Sequence, residues 1–372
     1  MKKENKKEQI ELAYEEALKV IEKCSTSHGL FASAGKKAYR GVWSRDSNIS
    51  LIGASSIKNS KTKEVFRRSL ITLADFQSKL GQIPNAVYGF DSNKIKSDFQ
   101  SIDSSLWFIL GEYYYKKKYG NELFNKHKSH IKKALVWLSY QDMEEDNLLE
   151  QLPTTDWQDA FPHKYGHTIN TQALYYKVLS LIGERGKQKK LKFNLERKKD
   201  KKLWNGNFYY SYRWKNHNKY KEIGEWFDSL GNLLAIVFGL ANKDKSNKII
   251  SYIKKNRIDR PYPTRAIYPP IKKGSKYWQD YYLDCKAGTP NQYLNGGIWP
   301  YIGSFYVLAL IKLKRFKEAE KALKELAEAN LKGNFPEWIN PLNKKMYGKF
   351  QAWNAGTYIL AYESLKKKRV LI

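Results

Sequence analysis

Cysteine is nearly missing from this chain of 372 residues, which has only Cys24 and Cys285. Two cysteines cannot build the disulfide framework of a small secreted scaffold, and no Cys or His group has metal-ligand spacing. Proline (11) and methionine (3) are sparse and glycine (23) is ordinary, which excludes collagen-like and low-complexity chains. Long hydrophobic runs are absent too. The longest, near Leu233–Ala241 and Tyr301–Ile311, fall short of the ~18 residues of a membrane span. The first eight residues carry Lys and Glu with no apolar stretch behind them, which predicts no secretory leader. A soluble, cytoplasmic protein with no membrane partner is expected.

Acidic residues are also in short supply, with 37 Asp+Glu against 67 Lys+Arg, a formal charge of +30. Such an excess invites a nucleic-acid reading. Yet only 12 of the basic residues are Arg, the residue suited to planar recognition of phosphate and guanine. The lysines fall in small groups, Lys116 to Lys118, Lys187 to Lys190, Lys198 to Lys202 and Lys366 to Lys368, and not in one tract. They are read as solvated helix faces, with no nucleic-acid partner.

What is plentiful is apolar and aromatic: 42% hydrophobic residues, with 11 Trp, 27 Tyr and 16 Phe. A large core follows, and disorder is excluded. Helical periodicity dominates, with strand-like alternation confined to pieces such as Asn207–Trp214. Six segments have one apolar stripe: Gln9–Cys24, Thr62–Gln77, Leu123–Tyr140, Gln188–Leu203, Lys243–Lys255 and Phe316–Asn330. Six others are apolar nearly all round: Ser47–Ile57, Ser104–Tyr115, Thr168–Ile182, Phe227–Ala241, Gly297–Leu313 and Gln351–Leu365. A helix without a polar face has to be covered on every side. The two kinds alternate strictly, which predicts an all-α fold in which six inner helices form a barrel and six outer helices jacket it. A single domain over residues 1–372 is expected, with a short basic extension at 1–8.

The links that lead into the inner helices are long, and such loops are usually functional. Each carries aromatic residues, and all but the fifth carry acidic ones: Gly41–Asp46, Asp98–Trp107, Thr155–Asp159, Glu225–Asp228, Asn295–Pro300 and Phe335–Trp338 followed by Phe350–Trp353. Asp and Ser before a helix are common caps, and Ser104 and Asp228 fit that role. A cap does not require a Trp at every site. Indole faces suit the C–H faces of sugar rings, while carboxylates and amides accept from hydroxyls. Glycoside hydrolysis further needs two carboxyl groups flanking the scissile bond. The rim offers Asp46, Asp98, Asp103, Asp156, Asp159, Glu225, Asp228 and Glu337. Position alone does not choose among them, although Glu337 is distinguished by its apolar setting between Pro336 and Trp338. No cofactor or metal site is expected.

These motifs in this order resemble the six-hairpin glycosidases, from about Gly35 to Leu365. They are the W-x-R-D of Trp43, Arg45 and Asp46, the I-D-S-S-L-W of Ile102–Trp107, the F-D-S-L-G-N of Phe227–Asn232, the N-G-G-I-W-P of Asn295–Pro300, and the late F-P-E before an aromatic helix. The likeness is to the neutral/alkaline invertases and to the amylo-1,6-glucosidase domain of glycogen-debranching enzymes. It implies an (α/α)6 barrel and hydrolysis with inversion, with Asp103 as general acid and Glu337 as general base. It implies sugar contacts from Arg45, Asp46, Asp156, Asn295 and Trp299; Trp43, Trp107, Trp157, Asp159, Asp228, Trp338, Gln351 and Trp353, from the aromatic and acidic links, are expected to bind the sugar with them. Where neutral invertases carry M-I-D-R-R-M-G, this chain reads Thr154–Ala160 without the two arginines. The expected activity is therefore an exo-acting, inverting α-glycosidase of the amylo-α-1,6-glucosidase kind, acting on an oligosaccharide or glucan. A sucrose-hydrolysing enzyme and a non-catalytic sugar-binding barrel are the alternatives.

Overall fold

A computed structural model describes residues 4–35, 39–57, 59–92, 94–217, 220–284 and 288–372; Cys285 and the first three residues of the basic extension lie outside them. Thirteen α-helices are found among the described residues. The six inner ones are α2 (Ser44–Ala54), α4 (Asp103–Tyr119), α7 (Ile169–Leu181), α9 (Ser229–Val237), α11 (Pro300–Lys312) and α13 (Ala352–Lys366). The outer ones are α1 (Glu4–Cys24), α3 (Ser60–Asp75), α6 (Lys128–Ser139), α8 (Arg185–Glu196), α10 (Lys243–Lys255) and α12 (Phe316–Gly333), with the short α5 (Glu122–Lys126) between α4 and α6. Each inner helix packs on the next, and α13 returns to pack on α2. The ring is closed, and the fold is the expected (α/α)6 barrel.

Burial follows from sequence as the periodicity predicts. In α10 the buried residues are Ser246, Ile249, Ile250 and Ile253, one stripe at three and four spacing, whereas every residue of α9 and all but the last of α11 are buried. Asn59, Thr168, Asp228 and Asn242 cap α3, α7, α9 and α10 through their side-chain oxygens, each cap contributing about 1 kcal/mol.

Three boundaries differ from the periodicity for local reasons. Leu123–Tyr140 is divided at His127 into α5 and α6, where His127 Nδ1 turns inward to Glu112 Oε1 at 2.6 Å. Phe227 and Asp228 are strand residues paired with Tyr268 and Ile267, so α9 starts only at Ser229. The N-terminal helix begins at Glu4, inside the expected extension.

Helix α2 is the exception to the apolar rule. All eleven of its residues are buried, including Ser44, Arg45, Asp46, Ser47, Asn48 and Ser50. Local bonds satisfy several of them: Ser44 Oγ donates to the Ser104 carbonyl at 2.9 Å, and Asn48 Nδ2 to the Ser44 carbonyl at 2.8 Å. Polar side chains on an inner helix thus meet backbone groups they can pair with, as burial requires.

The links into the inner helices gather at one end of the ring. A four-stranded antiparallel sheet built on the hairpin Tyr210–His217 and Tyr220–Asp228, flanked by His167–Thr168 and Ile267–Tyr268, braces part of that end. The ring closes where α13 meets α2 through glycines, and a methyl group on Gly356 would collide with the Ser50 backbone. Gly356→Val should therefore lower stability by about 3 kcal/mol through overpacking, read as a fall in thermal midpoint. Gly186→Ala, which faces open space at the start of α8, should leave the midpoint unchanged or raise it.

Candidate active site

At the end of the ring where the long links converge lies a small cavity. Its wall includes Trp43, Arg45 and Asp46 at the start of α2, Trp157 and Asp159 before α7, Tyr293 and Trp299 before α11, and Glu337, Gln351 and Trp353 around the start of α13. Four of the six links thus bring rings or carboxyls to one space, although they lie far apart in sequence.

The aromatic part is a box. Trp157 meets Trp299 and Tyr301 edge-on at 5.4 and 5.6 Å, Trp353 stacks on Tyr301 at 4.3 Å, and Trp299 contacts Tyr293 at 5.2 Å. The indole N–H groups of Trp157 and Trp353 and Nε of Arg45 are buried without a protein partner among the described residues. Unmatched donors on the wall of an aromatic cavity suit a ligand bearing hydroxyl oxygens.

Among the described residues Arg45 is the one cation in this wall, beside Asp46, Asp159 and Glu337. Its Nη1 is already engaged, donating to both oxygens of Asp103 at 2.8 and 2.9 Å. The cavity carboxyls are therefore only partly compensated. Burial pushes Asp46 up to about 7 against the attraction of Arg45. Burial likewise raises Asp159 despite Arg45, with Asp156 and Asp103 adding repulsion. Glu337 is pushed up to about 7 by burial first, with Asp46 and Asp159 repelling its charge while the Tyr39 and Tyr293 hydroxyls donate to it and oppose the rise.

Glu337 is held by a stiffened loop. Its N–H donates to the Tyr347 carbonyl at 2.8 Å, within the short ladder of Trp338–Ile339 and Met346–Tyr347. Asn334, Phe335 and Phe350 flank it with positive φ of 52°, 58° and 54°, a backbone state that costs bulky residues energy and is often stored at functional sites. Gly348, at φ 67°, lies under the Glu337 side chain, and a Cβ there would come within 2.8 Å of Glu337 Cβ.

Six of the residues expected to act on or hold the sugar are not on this wall. Asp103 is fully buried at the first turn of α4, where Arg45 and the Ser101 hydroxyl occupy its oxygens. It orients Arg45 from behind and does not line the cavity. Trp107 is 1% exposed within α4 and is core. Asn295 fastens a loop, donating to the Ile271 and Gly288 carbonyls and accepting from the Ile271 N–H. Trp338 stacks on Tyr347 at 4.1 Å. Asp156 and Asp228 share the fully buried ammonium of Lys164, each at 2.9 Å, and Asp228 Oδ1 caps α9 through the Gly231 N–H. Of the other rim acids, Glu225 pairs with Lys276 at 2.5 Å, and Asp98 lies in a strand opposite Ala86.

Sequence reading passed over Lys164, Tyr39 and Tyr293. Nothing marks the tyrosines among 27, and one lysine among so many is invisible. Burial opposes the Lys164 charge, but Asp156 and Asp228 outweigh it and hold the ammonium above its usual value. Lys164 also donates to Gln158 at 2.6 Å, so it ties the segment that carries Trp157 and Asp159 to the start of α9.

Two outcomes follow. Lys164→Met leaves two carboxylates buried without their cation and should cost about 3–5 kcal/mol; adding Asp156→Asn and Asp228→Asn should restore part of the lost thermal midpoint. For Glu337 the folded value of about 7 stands above the ordinary 4.5, so ionising it opposes folding. The cost is absent below pH 4.5, grows as pH rises, and is complete above pH 7. Glu337→Gln should accordingly raise the midpoint at about pH 8 and leave it nearly unchanged at about pH 4.

The alkaline and neutral invertase family model matches residues 221–368. Over 142 residues the chain is 32% identical to alkaline/neutral invertase E, chloroplastic, of Arabidopsis thaliana, covering 36% of this chain and 22% of that protein. Over 148 residues it is 31% identical to neutral/alkaline invertase 3, chloroplastic, of Oryza sativa subsp. japonica, covering 38% and 24%. The match therefore spans about a quarter of these relatives' length. Among solved structures, a mannosylglycerate hydrolase from Thermus thermophilus in complex with glucose superposes with a TM-score of 0.68 at 13% identity, over 92% of this chain and 98% of that one. A rhamnosidase from Klebsiella oxytoca with rhamnose bound gives 0.66 at 14%, over 95% and 63%. The chain has the six-hairpin glycosidase fold, and its residues 221–368 resemble the alkaline and neutral invertases.

Proposed function

We propose that this protein is an inverting, exo-acting glycoside hydrolase that takes one terminal sugar ring into the aromatic cavity, with Glu337 as general base and Asp159 as general acid. The observation that carries this reading is the position of the two carboxyls in the ring. Glu337 stands before α13 and Asp159 before α7, and α7 lies three helices from α13 in either direction, on the opposite side of the barrel. Inversion needs that arrangement, because the acid protonates the leaving oxygen from one face while the base activates water on the other. Asp46 stands in the first turn of α2, next to α13, and so shares the side of Glu337. Asp103 is buried, is held by Arg45 and does not line the cavity, which favours Asp159 over it as the acid.

The other groups have roles that follow from their chemistry. Trp157, Trp299 and Trp353 offer ring faces to the sugar, with indole N–H donors from Trp157 and Trp353, and Arg45 and Gln351 offer further donors. Tyr39 and Tyr293 turn their hydroxyls to Glu337 and orient it. A carboxyl with a value near 7 is poised to act as base at neutral pH.

The first substrate is a small α-glycoside of the sucrose type, supported by the likeness of residues 221–368 to the invertases. The second is α-1,6-linked glucose at a glucan branch, supported by Thr154–Ala160, which lacks the arginine pair of the invertases. Incubating the protein with sucrose, isomaltose, panose and phosphorylase limit dextrin, and following the released anomer by NMR, separates them. Release of β-glucose is expected; α-glucose as first product, or no hydrolysis of any of the four, overturns the assignment.

Asp159→Asn and Glu337→Gln should each lose about 10²–10⁴-fold in turnover. α-Glucosyl fluoride, whose leaving group needs no proton, should partly rescue only the first. The acidic limb of the pH profile should fall near pH 7 as Glu337 gains its proton. Asp46→Asn removes a repelling charge and should move that limb to lower pH. An unchanged limb would show that Asp46 does not face Glu337.

A further inference from the structure

The opposite end of the barrel holds a second, wider cavity, of about 470 Å³, that the proposed chemistry does not use. Lys117, Lys118, Lys177, Lys367 and Arg369 line it, and among the described residues no Asp or Glu does. Two of the lysine groups of the sequence, those near 117 and 367, thus converge from α4 and from the end of α13, chain segments some 250 residues apart.

Part of this charge has an ordinary explanation. Lys117 lies in the last turn of α4, where a cation suits the helix dipole, and Lys367 pairs with Glu363 at 3.2 Å. Lys177 has no such account. It sits a turn inside α7, half-buried, and its ammonium lies 5.7 and 5.6 Å from the Tyr114 and Phe238 rings. Burial, with repulsion from Lys117 and Lys312, pushes it down to about 8. Among the described residues it has no carboxylate partner. A cation drawn into the protein without a partner costs stability unless something of opposite charge satisfies it.

We propose that this cavity binds a small phosphorylated metabolite, with its phosphate group on Lys177, Lys117 and Arg369 and its remainder against Tyr113, Tyr114 and the apolar wall at Leu181 and Leu371. The cavity is a concavity between helix ends and not an extended flat face, which fits a small molecule and not a duplex. The site is linked to the candidate active site by α2, whose first turn carries Arg45 and Asp46 and whose far end supplies Ile52 to this cavity, a span of roughly 10 Å at 1.5 Å per residue.

The test is calorimetric titration and thermal melting at low ionic strength with pyrophosphate, glucose 6-phosphate and glucose. Pyrophosphate and glucose 6-phosphate should bind and raise the midpoint of wild type and of Glu337→Gln alike, whereas glucose should give no effect that survives Glu337→Gln together with Trp353→Ala. Lys177→Met and, separately, the exposed Arg369→Gln should each weaken phosphate binding about tenfold or more. Lys177→Met should also raise the midpoint of the unliganded protein. Absence of binding by both phosphate compounds, or binding equal to wild type in either variant, overturns the proposal. Loss of phosphate binding in Glu337→Gln would instead place it in the catalytic cavity and equally overturn it. Neither result bears on hydrolysis, so this inference and the catalytic reading fail separately.

Discussion

One buried guanidinium sets the chemistry of this protein. Arg45 sits among Asp46, Asp103 and Asp159, and three buried carboxyls cannot all be neutralised by one cation. Asp103 takes the close hydrogen bonds. Asp46, Asp159 and, beyond them, Glu337 are left in an apolar cavity with incomplete compensation, and each is raised as a result. Burial is the main cause of each rise, and it leaves Asp46 and Glu337, both at about 7, able to exchange protons near neutrality.

Everything around that centre serves to keep it dry and fixed. The ring of inner helices closes where glycines let α13 and α2 touch, which brings Glu337 and Asp46 to one side. Lys164 does the same on the other side by fastening the Trp157–Asp159 segment to Asp228. Burying these charges costs stability, and the very large apolar core of the inner helices offsets it. Such a balance between a preorganised site and its scaffold is common in enzymes.

Architecture was legible because burial leaves a simple trace. Helices covered on one side show a stripe and helices covered on all sides do not, so the alternation of Lys243–Lys255 with its apolar neighbours reveals outer and inner layers. Glu337 was legible for a related reason, since it is a lone acid between Pro336 and Trp338. Which aspartates share its cavity was not. Asp103 and Asp228 stand at the start of an inner helix and Asp156 and Asp159 in the link that leads to one, and that position says only that a carboxyl is at the rim. Whether it points at the axis, at a neighbouring link or at its own helix end depends on which cation reaches it first. Arg45 and Lys164 are those cations, and each lies close in space to acids that are distant in sequence.

The positive excess divides in the same way. Much of it coats outer helices, as the scattered lysine groups imply, but Lys117, Lys177 and Arg369 meet in one cavity because α4, α7 and the segment after α13 end together. Composition and periodicity determined the layers and the closed barrel, because those features follow from how much of each segment must avoid water. Tertiary structure alone decided which carboxyls share the cavity, which are used to hold the frame, and where cations gather, because a charge acts through distance in space and the sequence records only distance along the chain.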